Sequence, residues 1–369
     1  MATRKELAKS KNILEVAQQL GIELKKSGSS YQGKWQDHES FVFMPAKNLF
    51  YWNGRSISGD TIKLVEIVKD VSYKEALNYV LSLEASTLDL SKLPKPEPYI
   101  HRLKEEPLSI YGREFLKRVR GLSDKTIDFF ISQKVLAQTE WYGKGYNETV
   151  LVFKNYDFEG NVAGVSLQGI FYDKERHEKK GRLKHIMPNS SFYAGITVDI
   201  GDRDKFREAT IDNPFTIYAF ESSLDLMAYY ELHQETLHNA RLVSMEGRKK
   251  SSISAEVVDA RVIHREGFDS LGKIVRPENY LNYFDEKEKG LENLKIVLCV
   301  DNDEAGRHFI QNLGFNSLKV VPHLPPLAKG MEKNDWNDQL KIVKESRATE
   351  MTQERLQEKQ SSEVFQSKL

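Results

Sequence analysis

The apolar run Lys295 to Val300 ends at Asp301-Asn302-Asp303, two carboxylates one residue apart, and a helix pattern opens at Glu304. Unpaired buried carboxylates are expensive, so acids at the end of such a run call for water or a cation. A donor set of hard oxygens suits Mg²⁺ or Mn²⁺ rather than zinc. A second acidic strand end lies upstream, where Pro214 to Phe220 runs into Glu221-Ser222-Ser223-Leu224-Asp225. If the two strands are neighbours, Glu221 converges on Asp301 and Asp303, and Asp225, one helical turn on, can face the same cleft. Asp335 and Asp338, in Lys333-Asn334-Asp335-Trp336-Asn337-Asp338, bring further carboxylates after a later strand. Two cations roughly 4 Å apart in such a cluster can activate a hydroxyl and stabilise a leaving phosphate. The plainer alternative makes Asp301-Asn302-Asp303 a helix cap, Glu221 a solvated acid at a helix start, and Asp335 and Asp338 loop acids facing water.

Positioning these acids requires a strand and helix alternation, and residues 211–345 supply one. Strand-like runs at 215–220, 242–244, 294–300 and 318–321 alternate with helix patterns carrying Leu224, Met227, Ala228 and Leu232, then Ala305, Phe309 and Leu313. That rhythm predicts a mainly parallel sheet covered by helices, with ligands at the carboxyl ends of its strands. The stretch from Arg248 to Asn293 is too long for a plain connection and reads as an insertion. Upstream, residues 1–85 predict a small α+β domain: a helix over 12–20, β-runs at 40–45 and 48–52, and a capping box at Ser72-Tyr73-Lys74-Glu75. Residues 86–106, with Pro94, Pro96 and Pro98, read as a linker. Residues 107–210 predict a mixed α+β subdomain with an N-cap at Ser123 and a hairpin turning at Asp157-Phe158-Glu159-Gly160. The charged tail, 346–369, reads as frayed helix or disorder. The fold class is therefore α/β and α+β, multidomain.

Composition narrows the function. The 369 residues carry 29 % charged side chains at a formal net charge of +0, so no global basic field attracts nucleic acid, although a local groove can. The single cysteine, Cys299, lies in an apolar run and allows neither a disulfide nor a thiolate zinc site. There is no signal-peptide pattern and no apolar run long enough to span a bilayer, which points to a soluble, cytoplasmic protein.

Glu221 followed by Asp301-x-Asp303, each at a strand end, resembles the Toprim domain shared by DnaG-type primases, topoisomerases and related nucleases. The resemblance extends upstream. Glu148 to Phe153 with Gly164 to Gly169 is similar to the hairpin before Toprim in the DnaG core, and Arg182 to Ser190 is similar to that core's Lys-Tyr-Leu-Asn-Ser-Pro segment. Residues 115–199 look still more like the domain preceding Toprim in proteins of Gram-positive plasmids and conjugative elements. By that resemblance Lys184 is a phosphate contact, with Arg182 and Lys180 beside it; the alternative is a solvated basic loop.

Tyr31 to Glu39 and Phe50 to Asp60 resemble the primase zinc ribbon, whose ligands are Cys-x-x-His and Cys-x-x-Cys. Here Trp35 stands at the first cysteine, His38 keeps the histidine, and Trp52 and Arg55 replace the other two. A closed zinc site needs four ligands, so a zinc-less ribbon is expected, with Trp35 and Trp52 packed where the family has thiolates. The functional alternative exposes the tryptophans for stacking on single-stranded bases, with Lys34 and Arg55 on the phosphates. A second departure is Ser222, where the family often has glycine after the glutamate.

The resemblance implies a primase that makes short RNA primers on single-stranded DNA from nucleoside triphosphates, using Mg²⁺ or Mn²⁺ and no zinc. Glu221, Asp301 and Asp303 would be catalytic, with Asp335 and Asp338 as further metal ligands. A short segment after the acids leaves no room for a helicase-binding domain, which suits a plasmid or conjugative element and its replication or transfer proteins as partners. The rivals are a Toprim nuclease using the same metals, and a non-catalytic single-strand-binding accessory of a replication or transfer complex.

Overall fold

The computed structural model describes residues 2–36, 38–52, 57–93, 97–143, 145–157, 160–178, 181–190, 195–201, 208–266, 293–313 and 319–366. The chain divides into two compact units, Met1–Glu97 and Pro98–Leu369.

In the first unit, β1 (Glu23–Ser27), β2 (Ser30–Trp35), β3 (His38–Met44), β4 (Leu49–Trp52) and β5 (Ile57–Gly59) form an antiparallel sheet in sequence order. Side chains on a strand alternate between faces, so Phe41 and Phe43 of β3 point the same way. They pair across the ladder with Trp52 and Phe50 of β4, and all four rings are fully buried. Gly33 is required under this layer, since a Cβ there would meet the Phe43 ring at 2.6 Å. The helices α1 (Arg4–Lys9), α2 (Ile13–Gln19), α3 (Thr61–Lys69) and α4 (Tyr73–Ser82) contribute Ala8, Ile13, Val16, Ile62, Val65 and Val80 to the same core. The expected capping box opens α4, with Ser72 and Glu75 bonded reciprocally. Buried Asn48 ties sheet to helices: its amide donates to the carbonyls of Lys9 and Lys11 and its oxygen accepts from Ile13 N–H, all at 2.9 Å.

The second unit holds two sheets. β6 (Leu136–Gly143), β7 (Tyr146–Tyr156), β8 (Val162–Gly169) and β9 (Lys184–Ile186) form an antiparallel meander. The other sheet has the order β10, β12, β11, β13, β14, from β10 (Thr197–Ile200), β11 (Phe215–Phe220), β12 (Ala240–Ser244), β13 (Leu294–Cys299) and β14 (Lys319–Pro322). The pairs β12·β11, β11·β13 and β13·β14 are parallel, and only β10 runs antiparallel at the edge. The near-continuous apolar text of β11 and β13 fits strands buried on both faces. Ile217, Ala219, Ile296 and Leu298 meet α8 (Lys250–Glu266) and α9 (Glu304–Asn312) through Ile253, Val257 and Phe309. Phe220, Val297 and Cys299 look the other way, toward α7 (Ser223–His233) and α10 (Trp336–Gln366). Leu151 and Phe153 of the meander, with α6 (Asp124–Ser132), join that second cluster, so one core serves both sheets. Cys299 lies at its centre, fully buried.

Several boundaries differ from the sequence reading. Ser86 and Leu88 bond back to Glu15 and Ser10 of the first unit, and Glu106 bridges to Gln138 of β6, so both ends of the 86–106 segment are structured. β10 belongs to the five-stranded sheet although it precedes residue 211. The tail is helical: α10 continues to Gln366. Of the 248–293 insertion, α8 is described and 267–292 lie outside the described residues.

Candidate active site

β11 and β13 are adjacent and parallel, with Phe220 opposite Cys299, so Glu221 and Asp301 leave the sheet at the same edge. The Asp335 loop is fastened beside them. Asn302 N–H donates to Asn334 O at 2.8 Å, Asn334 N–H returns to Asn302 O at 3.3 Å, and the Asn302 amide donates to Pro325 O at 2.9 Å. Asp303 caps α9, accepting from Gly306 N–H at 2.7 Å. Glycine is needed there, because a Cβ would meet the Asp301 carbonyl oxygen at 2.1 Å. Asp225, from the first turn of α7, is buried; it accepts from the Ser222 hydroxyl and from Asn337 N–H at 3.3 Å.

The acids feel one another. Burial, then the charges of Asp225, Glu221, Asp335 and Asp303, push the Asp301 carboxyl up to about 9. Burial and the charge of Asp335 raise Asp225 to about 7, against the favourable charge of Lys184 on β9. Glu221 is raised by burial and by Asp303, opposed by Arg248 at 2.8 Å. Glu221 Oε1 and Asp301 Oδ1 are buried oxygens with no hydrogen-bond partner among the described residues. Unsatisfied buried carboxylate oxygens of this kind suit a hard cation. As arranged, though, no group of three His, Cys, Asp or Glu side chains among the described residues could hold a metal ion. Asp303 Oδ1 and Asp335 Oδ1 accept the helix-start amides of Gly306 and Asp338, at 2.7 Å each, which leaves the second oxygen of each for any other ligand.

Glu221, Asp225, Asp301, Asp303 and Asp335 are thus one electrostatic cluster. Asp338 is turned elsewhere: its side chain is 53 % exposed and pairs with Lys341 at 2.5 Å. Lys184 is exposed at the start of β9. Arg182 donates to Ile170 O at 3.3 Å and lies over the rings of Phe115 and Tyr172. Lys180 and Arg55 lie outside the described residues.

Two arginines escaped the sequence reading. Arg248, the partner of Glu221, follows the carboxyl end of β12, so the strand-end rule applied to a third strand would have pointed to it. Arg120 donates to Asn337 Oδ1 at 3.1 Å and its buried guanidinium senses Asp225 and Asp335. A lone arginine in polar text carries no comparable signal.

At the zinc-ribbon positions the structure sets aromatic rings. Trp52 is fully buried, stacked on Phe41 at 4.3 Å. Half-buried Trp35 meets it edge-on at 6.1 Å, and His38 lies 5.2 Å from Trp52. Lys34 is exposed on β2, opposite Glu23.

Residues 2–94 match the CHC2 zinc finger family. The chain is 28 % identical over 352 residues to an uncharacterised protein, pXO2-78, of Bacillus anthracis, covering 92 % of this chain and 89 % of that one. A DNA primase of Aquifex aeolicus is 29 % identical over 157 residues, which are 41 % of this chain and 31 % of the primase. The chain therefore spans about a third of the length of that primase. Among solved structures, the Aquifex aeolicus primase with its zinc-binding and RNA polymerase domains aligns over 96 % of this chain and 85 % of its own, at 18 % identity and a TM-score of 0.33. Residues 2–94 thus match the CHC2 zinc finger family, and parts of the chain are similar in sequence to bacterial DNA primases.

Proposed function

We propose that this chain is a Toprim-type primase that joins ribonucleotides into short primers on single-stranded DNA. The observation that carries the reading is the meeting of Glu221 and Asp301 at the carboxyl edge of adjacent parallel strands, each with a buried, unpartnered oxygen. Glu221, Asp301 and Asp303, which as arranged do not form a three-ligand group, would draw together to hold Mg²⁺ or Mn²⁺, with Asp335 alongside. Bound there, the cations supply charge stabilisation for phosphoryl transfer. Arg248 holds Glu221 in place from behind. Lys184 and Arg182 would meet phosphates of the nucleotide or template. Asp338, paired with Lys341, is assigned no ligand role. The similarity to pXO2-78 supports a plasmid setting, with replication or transfer proteins as partners.

The N-terminal unit would fold without zinc, its Trp35, His38 and Trp52 rings standing where the family has ligands. Among the described residues no helix is long and apolar enough to cross a membrane, in keeping with work on nucleic acid in the cytoplasm.

The test is primer synthesis on single-stranded DNA of mixed sequence, with labelled ribonucleotides and Mg²⁺ or Mn²⁺. Short products are expected from the parent and a loss of at least 100-fold in Asp301→Ala, given the size of metal-site contributions to phosphoryl transfer. Strand cleavage in place of synthesis would sink the primase reading in favour of a nuclease. Binding without either reaction would leave a single-strand-binding accessory.

A further inference from the structure

Tyr111 follows the start of α5 (Ile110–Glu114), and Phe171 and Tyr172 leave the end of β8. Large aromatics are normally covered, yet these three are 65 %, 50 % and 63 % exposed. They are also held in place. Tyr111 and Phe171 are in ring contact at 6.1 Å. The turn after Tyr172 is closed by Asp173 N–H donating to Gly181 O and Gly181 N–H donating to His177 O, both at 2.7 Å. Gly181 adopts φ +66°, and a Cβ on it would meet the Tyr172 ring at 2.2 Å, so the ring lies directly against bare backbone.

From Tyr172 a line of cations leads to the acids. Arg182 lies 5.3 Å from the Tyr172 ring and 5.4 Å from Phe115. Arg120 lies 5.2 Å from the same Phe115 ring. The two guanidiniums are near enough that Arg182 disfavours the charged form of Arg120. Arg120 Nε is buried with no partner among the described residues. Two like charges sharing one ring, one with an unused donor, suit an anion between them. Exposed rings followed by cations are the layout that receives a single strand, bases on the rings and phosphates on the guanidiniums.

We propose that Tyr111, Phe171 and Tyr172 form a stacking platform for the bases of a single-stranded nucleic acid, whose phosphates Arg182 and Arg120 lead toward Asp225 and Asp335. The platform rests on the reading of the chain as acting on single strands. It adds the mode of grip: stacking, indifferent to base identity.

Fluorescence anisotropy of the full chain with a labelled single strand, and with an abasic strand of equal length, tests it. Phe171→Ala with Tyr172→Ala should weaken binding to the base-bearing strand roughly tenfold or more and leave the abasic strand unchanged. Tyr172→Phe should restore the Tyr172 share. Arg182→Ala should weaken both strands and lower the salt slope by about 0.7. Tyr111→Ala, on a separate element, is the check should the double variant fold poorly. Equal loss on both strands, or none on either, would overturn the platform. So would unchanged DNA affinity with loss of self-association in sedimentation, which would make this face a protein contact. Binding is read without synthesis, so the two proposals fail separately. Primers without base-dependent binding would leave the primase and remove the platform, and base-dependent binding without primers would do the reverse.

Discussion

Glu231 of α7 accepts from the Ser123 backbone N–H at 3.1 Å and its hydroxyl at 2.7 Å, and faces Lys344 of α10 at 2.7 Å. One carboxylate thereby joins three helices. Burial pushes its pKa up, but Lys344 and the hydroxyls of Thr126 and Ser123 outweigh burial and hold it below the usual carboxylate value. A lowered folded-state pKa stabilises the fold above the unfolded value, and that stability is lost as pH falls through the folded one. Glu231→Gln should therefore cost about 1–3 kcal/mol at neutral pH, and the gap to the parent should close in acid; urea titrations at both pH values measure it. At this scale the acids were legible in the sequence where they interrupt an apolar run, as Glu221 and Asp301 do. Asp335 and Asp338 looked alike in the text. Only the helix start between them separates them, because Asp335 precedes α10 and joins the cluster whereas Asp338 falls on its outer side with Lys341.

The ladder of β3 and β4 is held by aromatic pairs. Phe41 opposite Trp52 and Phe43 opposite Phe50 pack as cross-strand pairs, the stabilising unit of a sheet. Trp52→Ala should cost about 3–5 kcal/mol. In the parent, a chelator should leave the melting temperature unchanged, and metal analysis should find zinc well below one per chain; stoichiometric zinc would end the zinc-free reading. The β3 and β4 runs were readable from alternating aromatics, and α4 from its capping box. β1, Glu23-Leu24-Lys25-Lys26-Ser27, was not, since an edge strand this polar lacks any period-two contrast. The tail read as frayed helix or disorder, and the continuity of α10 went unmarked for a related reason: from Ile342 to Arg355 its residues are almost all exposed, so no apolar stripe marks the helix.

Across the whole molecule, the second unit gains its cohesion from a core shared by two sheets, which the domain boundary expected at residue 211 concealed. A strand drawn from the preceding segment, β10, closes the edge of the five-stranded sheet, and such long-range pairing leaves no local mark in sequence. Removing residues from Ala348 onward should change stability by no more than about 0.5 kcal/mol, because the described side chains there are exposed. Trp336→Ala, at the buried start of the same helix, should cost about 3–5 kcal/mol; thermal and urea unfolding distinguish the two. The buried Cys299 has a practical use. It is the chain's only thiol, and burial pushes its pKa up despite the opposing hydrogen bond with Tyr229, so maleimide reagents should pass the folded protein by. A cysteine introduced at any exposed site, such as the rim of the aromatic platform, would then carry a dye at a single known place, with no native thiol to delete first.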